Sequence, residues 1–394
     1  MNQLSYRDTW VEISLDHIKN NYLQFRQYVD PHTKIMAVVK ADGYGHGAFE
    51  IAKTAIDAGA DYLAVALLDE AIKLRLSGIT QPILVLGYTP IRSVRAALIE
   101  NITLTIFDHE VLDEVIVQSN LLCKTASIHL KIDTGMSRIG VTSGDEAIIL
   151  AEKARNAPHV CLQGIFTHFA NADNENSALT YSQFKKFQAI VANLEHSGIY
   201  IPIKHCCNSA ATMKFPEMHL DMVRIGVALY GLYPNASLQK HIIQLKQAIT
   251  FKTKIAAIKK VATSQAVSYG WTWKAKRESF IATLPLGYAD GLSRLLSNRG
   301  KVLVHGKKAA ITGRVCMDQT MIDVTDISDC KSGDEVTMFG HSSSSFQSVD
   351  QFAELMGTIN YEVVCLIGKR VPRVYVSNRK MVEQDELQGT KLYT

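Results

Sequence analysis

The stretch Ile35-Met36-Ala37-Val38-Val39-Lys40-Ala41-Asp42-Gly43-Tyr44-Gly45-His46-Gly47 decides the fold. Five consecutive apolar residues lead into a lysine, and a turn containing three glycines follows. So short an unbroken aliphatic run suits a strand covered on both faces, as in a parallel sheet. Working outward, similar runs recur at 62–67, 83–86, 103–107, 127–132, 164–168, 201–205 and 223–229, which with 35–40 makes eight. Helical stretches separate them. Asp69-Glu70 open one that Gly78 follows, Gly144-Asp145-Glu146 open another, and Ser177 precedes a long one that runs out near Ser197-Gly198. Eight strand–helix repeats predict an α/β fold, a (β/α)8 TIM-like barrel over residues 12–244. A doubly wound sheet is the alternative, weakened because the sequence lacks the G-x-G-x-x-G fingerprint of that fold.

After about residue 245 the texture changes. Short alternating or β-branched runs at 251–258, 280–284, 301–304, 309–312, 320–324 and 335–339 are separated by turn signals such as Asn298-Arg299-Gly300 and Ser332-Gly333-Asp334. A helical stretch at 350–357 precedes a last strand at 371–376. A mostly-β C-terminal domain is therefore predicted over 245–394. Residues 1–11 are grouped with it, because 10–15 also reads as a strand.

Composition removes several function classes. The 394 residues are 47% hydrophobic and 20% charged, which rules out a disordered or fibrous chain. The net charge of +4 is spread through mixed-sign stretches, so nucleic acid is not an expected partner. No apolar run approaches the roughly 20 residues of a membrane span, and residues 1–10 hold no signal-peptide core. Seven cysteines without a C-x-x-C pair read as reduced thiols of a cytoplasmic protein. No histidine pair has a recognisable ligand spacing, so no metal is expected.

In such a barrel, functional side chains gather at the carboxyl ends of strands and in the loops that follow. Those positions carry Lys40, then Asp133 and Arg138, His168, Asn208-Ser209, and Arg224 with Gly226 after it. A lysine at the floor of a pocket loses hydration, its pKa falls, and it can form a Schiff base with a carbonyl. A lysine that snorkels to solvent is the plainer alternative.

The string Val38-Val39-Lys40-Ala41-Asp42-Gly43-Tyr44-Gly45-His46-Gly47 resembles the pyridoxal-lysine motif of the alanine racemases, fold-type III enzymes that use pyridoxal 5'-phosphate. The resemblance continues through Lys131-Ile132-Asp133-Thr134-Gly135-Met136-Ser137-Arg138, Thr167-His168-Phe169-Ala170-Asn171-Ala172-Asp173 and Asn208-Ser209-Ala210-Ala211-Thr212. It runs on through Val223-Arg224-Ile225-Gly226, Val267-Ser268-Tyr269-Gly270 and Pro285-Leu286-Gly287-Tyr288-Ala289-Asp290-Gly291. Arg314-Val315-Cys316-Met317-Asp318 and Ile359-Asn360-Tyr361-Glu362 close it, so it spans both expected domains in the family's order.

The resemblance implies interconversion of L- and D-alanine, with Lys40 carrying the cofactor. Racemisation removes a proton from one face of a carbon and returns one to the other, so two opposed bases are the economical solution. The family pattern assigns them to Lys40 and Tyr269. A phenol is a poor base at its reference pKa of about 10, and nearby cations favour its ionised form. His168 is implied to hydrogen-bond Tyr269 and to touch Arg224. Arg224 would face the pyridine nitrogen, and a guanidinium does not give up its proton to it. Ser209 and the main-chain N–H groups of Gly226 and Val227 would hold the phosphate, with the hydroxyls of Tyr44 and Tyr361. Arg138 and the main chain of Met317 would hold the substrate carboxylate. Lys131, as a carbamate, would orient Arg138, and Tyr288 would line the entrance with Tyr361. Cys316 reads as a packed thiol.

In the family Tyr269 and Met317 reach the site from a partner subunit, so a homodimer with two composite sites is expected. The role that goes with this is supply of D-alanine for a bacterial cell wall. One position departs from the pattern: Trp271 stands where a smaller or basic residue is expected. Other functions stay open. A broad-specificity or serine racemase is the nearest, since such pockets reject an added hydroxyl by only about 10²-fold. A pyridoxal-dependent amino-acid decarboxylase would not need Tyr269 as a base, and a single-barrel pyridoxal-binding protein would lack residues 245–394.

Overall fold

A computed structural model describes residues 6–240, 242–342 and 344–378, and the main chain of 380–384. The chain divides into two compact units. One comprises Ile18–Gly43 and Ala48–Lys246; the other comprises the residues up to His17, Tyr44–Gly47 and those from Gln247 onward.

The first unit is built on eight parallel strands: Lys34–Val38, Tyr62–Val65, Ile83–Val85, Thr103–Ile106, Ala126–Lys131, Val160–Phe166, Ile203–His205 and Met222–Ile225. Each pairs with the next up to Ile203–His205, and Met222–Ile225 pairs with Lys34–Val38. The remaining seam is closed by two hydrogen bonds, Asp221 N–H to the Lys204 carbonyl and Arg224 N–H to the Cys207 carbonyl, each 3.1 Å. The sheet is thus a closed barrel, not a doubly wound layer. Ile35, Met36, Leu63, Val65, Ile83, Leu84 and Leu104 are all fully buried, which explains their unbroken apolar runs. Each such side chain stabilises the fold by about 1.5–3 kcal/mol. Some of the helices between strands start on a capping side chain, while the long one after Ser177 has no side-chain cap. Asp108 accepts from the Glu110 and Val111 N–H groups, and Ser143 from that of Glu146.

Strand ends differ from the expected ones for local reasons. The first strand stops at Val38, not Lys40. Ala41, Asp42, Gly43 and Tyr44 all have φ between 52° and 60°. This left-handed turn costs L-residues roughly 1–2 kcal/mol each, and Lys40 stands at its head. The expected strand 223–229 ends at Ile225 because Gly226 breaks it, and Val227–Tyr230 winds into a 3₁₀ turn. The expected strand 251–258 is two, Ile249–Lys254 and Ala257–Val261. Between them the Ile255 and Ala256 N–H groups turn to different partners, the Asp334 and Thr283 carbonyls.

The second unit is a mostly antiparallel sheet. Across it run Ala257–Val261, Ser279–Leu284, Thr320–Asp323, Lys307–Ile311, Lys301–Val304, Glu335–His341, Ile249–Lys254, Thr9–Ser14, Arg373–Ser377 and Lys380–Gln384. Thr9–Ser14 lies inside it, antiparallel to Ile249–Lys254 and parallel to Arg373–Ser377. That strand crosses the expected division between residues 11 and 12, so the β unit takes the chain as far as His17. Tyr44–Gly47 also belongs to it: Arg373 Nε donates to the Gly45 carbonyl, 3.2 Å. A Cβ on Gly45 would overlap the Val364 carbonyl, and one on Gly47 the Tyr375 hydroxyl.

Candidate active site

At one end of the barrel, Lys40 follows the first strand and Arg224 lies on the strand paired with it. Arg224 is 3% exposed. Its Nη1 donates to His205 Nδ1 at 3.0 Å. Its Nη2 donates to the carbonyls of Thr167 and Cys206, each 2.9 Å, and to His168 Nδ1 at 3.3 Å. All these partners are neutral. Burial pulls the guanidinium down to about 10, which leaves it charged at neutral pH. His168 is held well below the usual imidazole range, by burial first and then by the charges of Arg224, Lys131, Arg138 and Lys40. It accepts from Arg224 at Nδ1, so its own proton sits on Nε2.

Lys131 and Arg138 flank the same mouth. Lys131 is 3% exposed, with its Nζ 4.7 Å from the centre of the Phe166 ring. Its pKa lies well below that of an ordinary lysine, because it is buried and the Arg224 and Arg138 charges oppose a further cation. Arg138 is delivered by a folded loop. Asp133 Oδ1 accepts from the N–H groups of Gly135 (2.8 Å) and Ser137 (3.1 Å), and Oδ2 accepts from that of Arg138 (3.0 Å). Burial pushes the Asp133 carboxyl up, but these main-chain donors outweigh it and hold it below the usual range.

Ser209 opens a short helix capped by Asn208. Its Oγ accepts from the Gly226 N–H at 2.9 Å and the Ala228 N–H at 3.5 Å. The structure therefore joins Ser209 to Gly226 and places Val227 at the head of the adjoining 3₁₀ turn. The whole set is rich in cations and N–H donors, and its one carboxylate, Asp133, is taken up by its own loop. This chemistry fits pyridoxal phosphate, whose phosphate is anionic and whose ring nitrogen accepts.

The other expected residues lie in the β unit. Tyr269, Tyr288 and Met317 border an open concavity of about 860 Å³, together with Arg294, Cys316 and Asp318. Tyr269 is 69% exposed and Met317 53%. Tyr269 sits in a tight loop in which Ser268, Gly270 and Trp271 have φ of 69°, 69° and 48°. Ser268 Oγ donates to the Arg314 carbonyl at 2.7 Å, and Asn298 Nδ2 to Thr272 Oγ1 at 3.1 Å. Trp271, the departure from the pattern, is 74% exposed. The Cys316 thiol, half-buried at the edge of the concavity, meets the Arg314 carbonyl and the Ser268 hydroxyl. Tyr44 and Tyr361 come together, with ring centres 6.2 Å apart.

Several residues were not singled out from sequence. His205 and His129 extend the Arg224 contact inward: His129 Nδ1 is 3.0 Å from His205 Nε2. In the β unit, Asp290 is fully buried. Its Oδ1 accepts from Arg7 Nη1 (2.7 Å) and Arg370 Nε (2.8 Å), and Oδ2 from the Gly287 N–H (3.0 Å). The turn so fixed presents the N–H groups of Tyr288 and Ala289 to the carbonyls of Cys316 and Met317, both 3.0 Å. Asp290 therefore sets the wall on which Met317 sits. Its place in the string Gly287-Tyr288-Ala289-Asp290 was the available signal.

Comparison with known proteins agrees with this geometry. A family model for the alanine racemase N-terminal domain matches residues 13–234, and one for the C-terminal domain matches 248–375. Alanine racemase 2 of Oceanobacillus iheyensis is 54% identical over 382 residues, 97% of each chain. The crystal structure of alanine racemase from Bacillus anthracis with bound L-Ala-P superposes with a TM-score of 0.92 at 40% identity, covering 97% of this chain and 98% of that one. Histidine racemase from Leuconostoc mesenteroides subsp. sake superposes with a TM-score of 0.88 at 30% identity, covering 94% and 99%.

Proposed function

The chain belongs to the alanine racemase family of fold-type III pyridoxal-phosphate enzymes, and on that premise we propose that it interconverts L- and D-alanine. When bound, pyridoxal phosphate spreads the charge left on the α-carbon when its proton departs. The chain supplies the rest. Lys40 holds the cofactor and moves the proton on one face, and Tyr269 moves it on the other. His168, with its proton on Nε2, would donate to the Tyr269 oxygen. Arg224 would donate to the ring nitrogen, and a guanidinium does not give up its proton to such an acceptor. Arg138 and the Met317 N–H hold the substrate carboxylate, and Lys131, as a carbamate, orients Arg138. Ser209, Gly226, Val227, Tyr44 and Tyr361 hold the phosphate, and Tyr288 shapes the entrance.

The observation that supports this most is Arg224 itself. A buried guanidinium normally pairs with a carboxylate, and this one is surrounded by neutral acceptors. No carboxylate is among those acceptors. Tyr269 and Met317 serve the barrel of a partner subunit, so the active form is a two-fold homodimer. The exposure of Tyr269, Trp271 and Met317 is consistent with burial by that partner. A cytoplasmic location suits seven cysteines without a C-x-x-C pair, and among the described residues no helix is long and apolar enough to cross a membrane. Supply of D-alanine for a cell wall follows as the role.

The test is visible absorbance of the purified protein together with racemisation of L-alanine, both repeated with Lys40→Ala. Absorbance and activity should vanish together, and indifference of either to that change refutes the assignment. The likeness to a histidine racemase makes the choice of substrate a separate question, settled by chiral analysis of a panel that includes alanine, serine and histidine.

A further inference from the structure

We infer that Glu70 is a positioning residue for Lys40. Its carboxylate spans two segments of the barrel unit. Oε1 accepts from the Ala41 N–H at 2.6 Å, and Oε2 accepts from the N–H groups of Ala66 (2.8 Å) and Leu67 (3.1 Å). Ala41 directly follows Lys40 and opens the left-handed turn, where φ is 52° at Ala41 and 54° at Asp42. Such a conformation persists only when its surroundings over-determine it. Asp42 Oδ1 ties the far end of the turn to the Ala48 N–H at 3.0 Å. Glu70 anchors the near end to the loop after the neighbouring strand, Tyr62–Val65.

A helix cap alone would account for only part of this. Glu70 lies in the first turn of the helix Leu68–Leu76, and reaching back to the Leu67 N–H is the ordinary half of a capping box. The Ala41 N–H lies outside that helix, is the shortest of the three contacts, and takes the oxygen that the cap does not use. A charged acceptor is also the stronger choice for holding a strained amide. The carboxylate thus fixes the main chain from which the Lys40 side chain departs, without touching substrate or cofactor. The inference rests on the reading of Lys40 as the cofactor-bearing lysine.

The experiment compares holoenzyme of the wild type, Glu70→Ala, Glu70→Gln and Leu76→Gly. Leu76 is 77% exposed at the end of the same helix, so Leu76→Gly loosens the helix and leaves the Ala41 contact intact. Three quantities are read: melting temperature, the rate at which visible absorbance is lost when released pyridoxal phosphate is trapped, and kcat against KM for L-alanine. A hydrogen bond to a charged group is worth one to two decades in an equilibrium. Glu70→Ala should therefore lose cofactor about tenfold faster than Leu76→Gly at a matched fall in melting temperature. Its kcat should fall with KM nearly unchanged, and Glu70→Gln, which keeps one accepting oxygen, should lie between. In cofactor-stripped protein, amide exchange over residues 37–44 should quicken in Glu70→Ala and not in Leu76→Gly. Cofactor loss that tracks melting temperature alone across all variants reduces Glu70 to a helix cap and overturns the inference; if Glu70→Ala does not fold, Glu70→Gln makes the same comparison. A wild type without Lys40-dependent absorbance would instead remove the premise, and the inference with it.

Discussion

His205 Nδ1 lies 3.0 Å from Arg224 Nη1 and must accept there, because a guanidinium can only donate. The single proton of neutral His205 is thereby placed on Nε2, where it points at His129 Nδ1, and the same reasoning places the His129 proton on its own Nε2. One cation at the mouth sets the tautomer of two rings beneath it. Neither ring can take a second proton without setting donor against donor. Burial and the Arg224 charge both act in that direction, holding His205 well below the usual range and His129 at about 4.

Acid should therefore unfold the barrel earlier than carboxylate protonation alone would. These rings stay neutral in the fold, so the unfolded chain takes up protons first. Above about pH 6.5 neither state is charged and the rings leave stability unchanged. Below it, stability falls by up to about 1.4 kcal/mol per pH unit for each ring, for His129 until its folded value of about 4 is reached. Urea midpoints at about pH 7.5, 6.5 and 5.5 check this: the first two should be close and the third clearly lower. Equal midpoints at all three would show that the rings are charged in the fold.

Lys131 should react with carbon dioxide. Burial and two neighbouring guanidinium groups disfavour its cation and hold its pKa well below that of an ordinary lysine, and the neutral amine they favour is the nucleophilic form. Protein equilibrated with ¹³C-bicarbonate should show one carbamate resonance that Lys131→Met abolishes. That variant should raise KM for alanine about tenfold, through a less well-oriented Arg138, and change kcat less. No resonance and an unchanged KM would leave Lys131 as a packing residue.

Mixing inactive Lys40→Ala and Tyr269→Ala chains, unfolded and refolded together, should restore activity. Each mixed dimer holds one site with both bases intact, and half the dimers are mixed at equal proportions, so about a quarter of all sites recover. Racemase assay of the refolded mixture measures it. Failure to recover, with dimers present, would place both bases on one chain.

Gly287→Ala should injure substrate binding more than cofactor binding. A Cβ there would overlap the carbonyls of both Cys316 and Met317. The strap must shift, and KM for alanine should rise about tenfold while the visible absorbance is kept. Asp290→Ala removes the hub of the same turn and strands Arg7 and Arg370. Loss of one partner from a buried ion pair costs 3–5 kcal/mol; here both arginines are partly exposed, at 28% and 46%, and can rehydrate, so about 2–3 kcal/mol is expected by urea melts. Equal KM values for Gly287→Ala and the wild type would separate Met317 from the substrate.

The barrel was legible because strands covered on both faces keep no polar alternation, so each appears as a plain apolar run. Its fine ends were not. Residues 223–229 look like one strand until Gly226 is seen to break it, and nothing local announces that Ala41 and Asp42 adopt a conformation their side chains resist. The charged residues of the candidate site were legible through the motifs that carry them. Glu70 and His205 were hidden for a physical reason. A glutamate in the first turn of a helix and a histidine in a short strand have ordinary local explanations, and their further contacts exist only once distant strands lie side by side.

The strand Thr9–Ser14 sits between Ile249–Lys254 and Arg373–Ser377, which orders events during synthesis. Of these three strands it is made before the other two, and both its neighbours emerge only after the complete barrel sequence. The barrel can acquire its structure on the nascent chain, as units generally do from the N-terminal side, while Thr9–Ser14 waits with both edges bare. Only with the arrival of Arg373–Ser377 does the sheet gain its last inner partner, so a polypeptide released before that point would carry a finished barrel and an open-edged sheet prone to association.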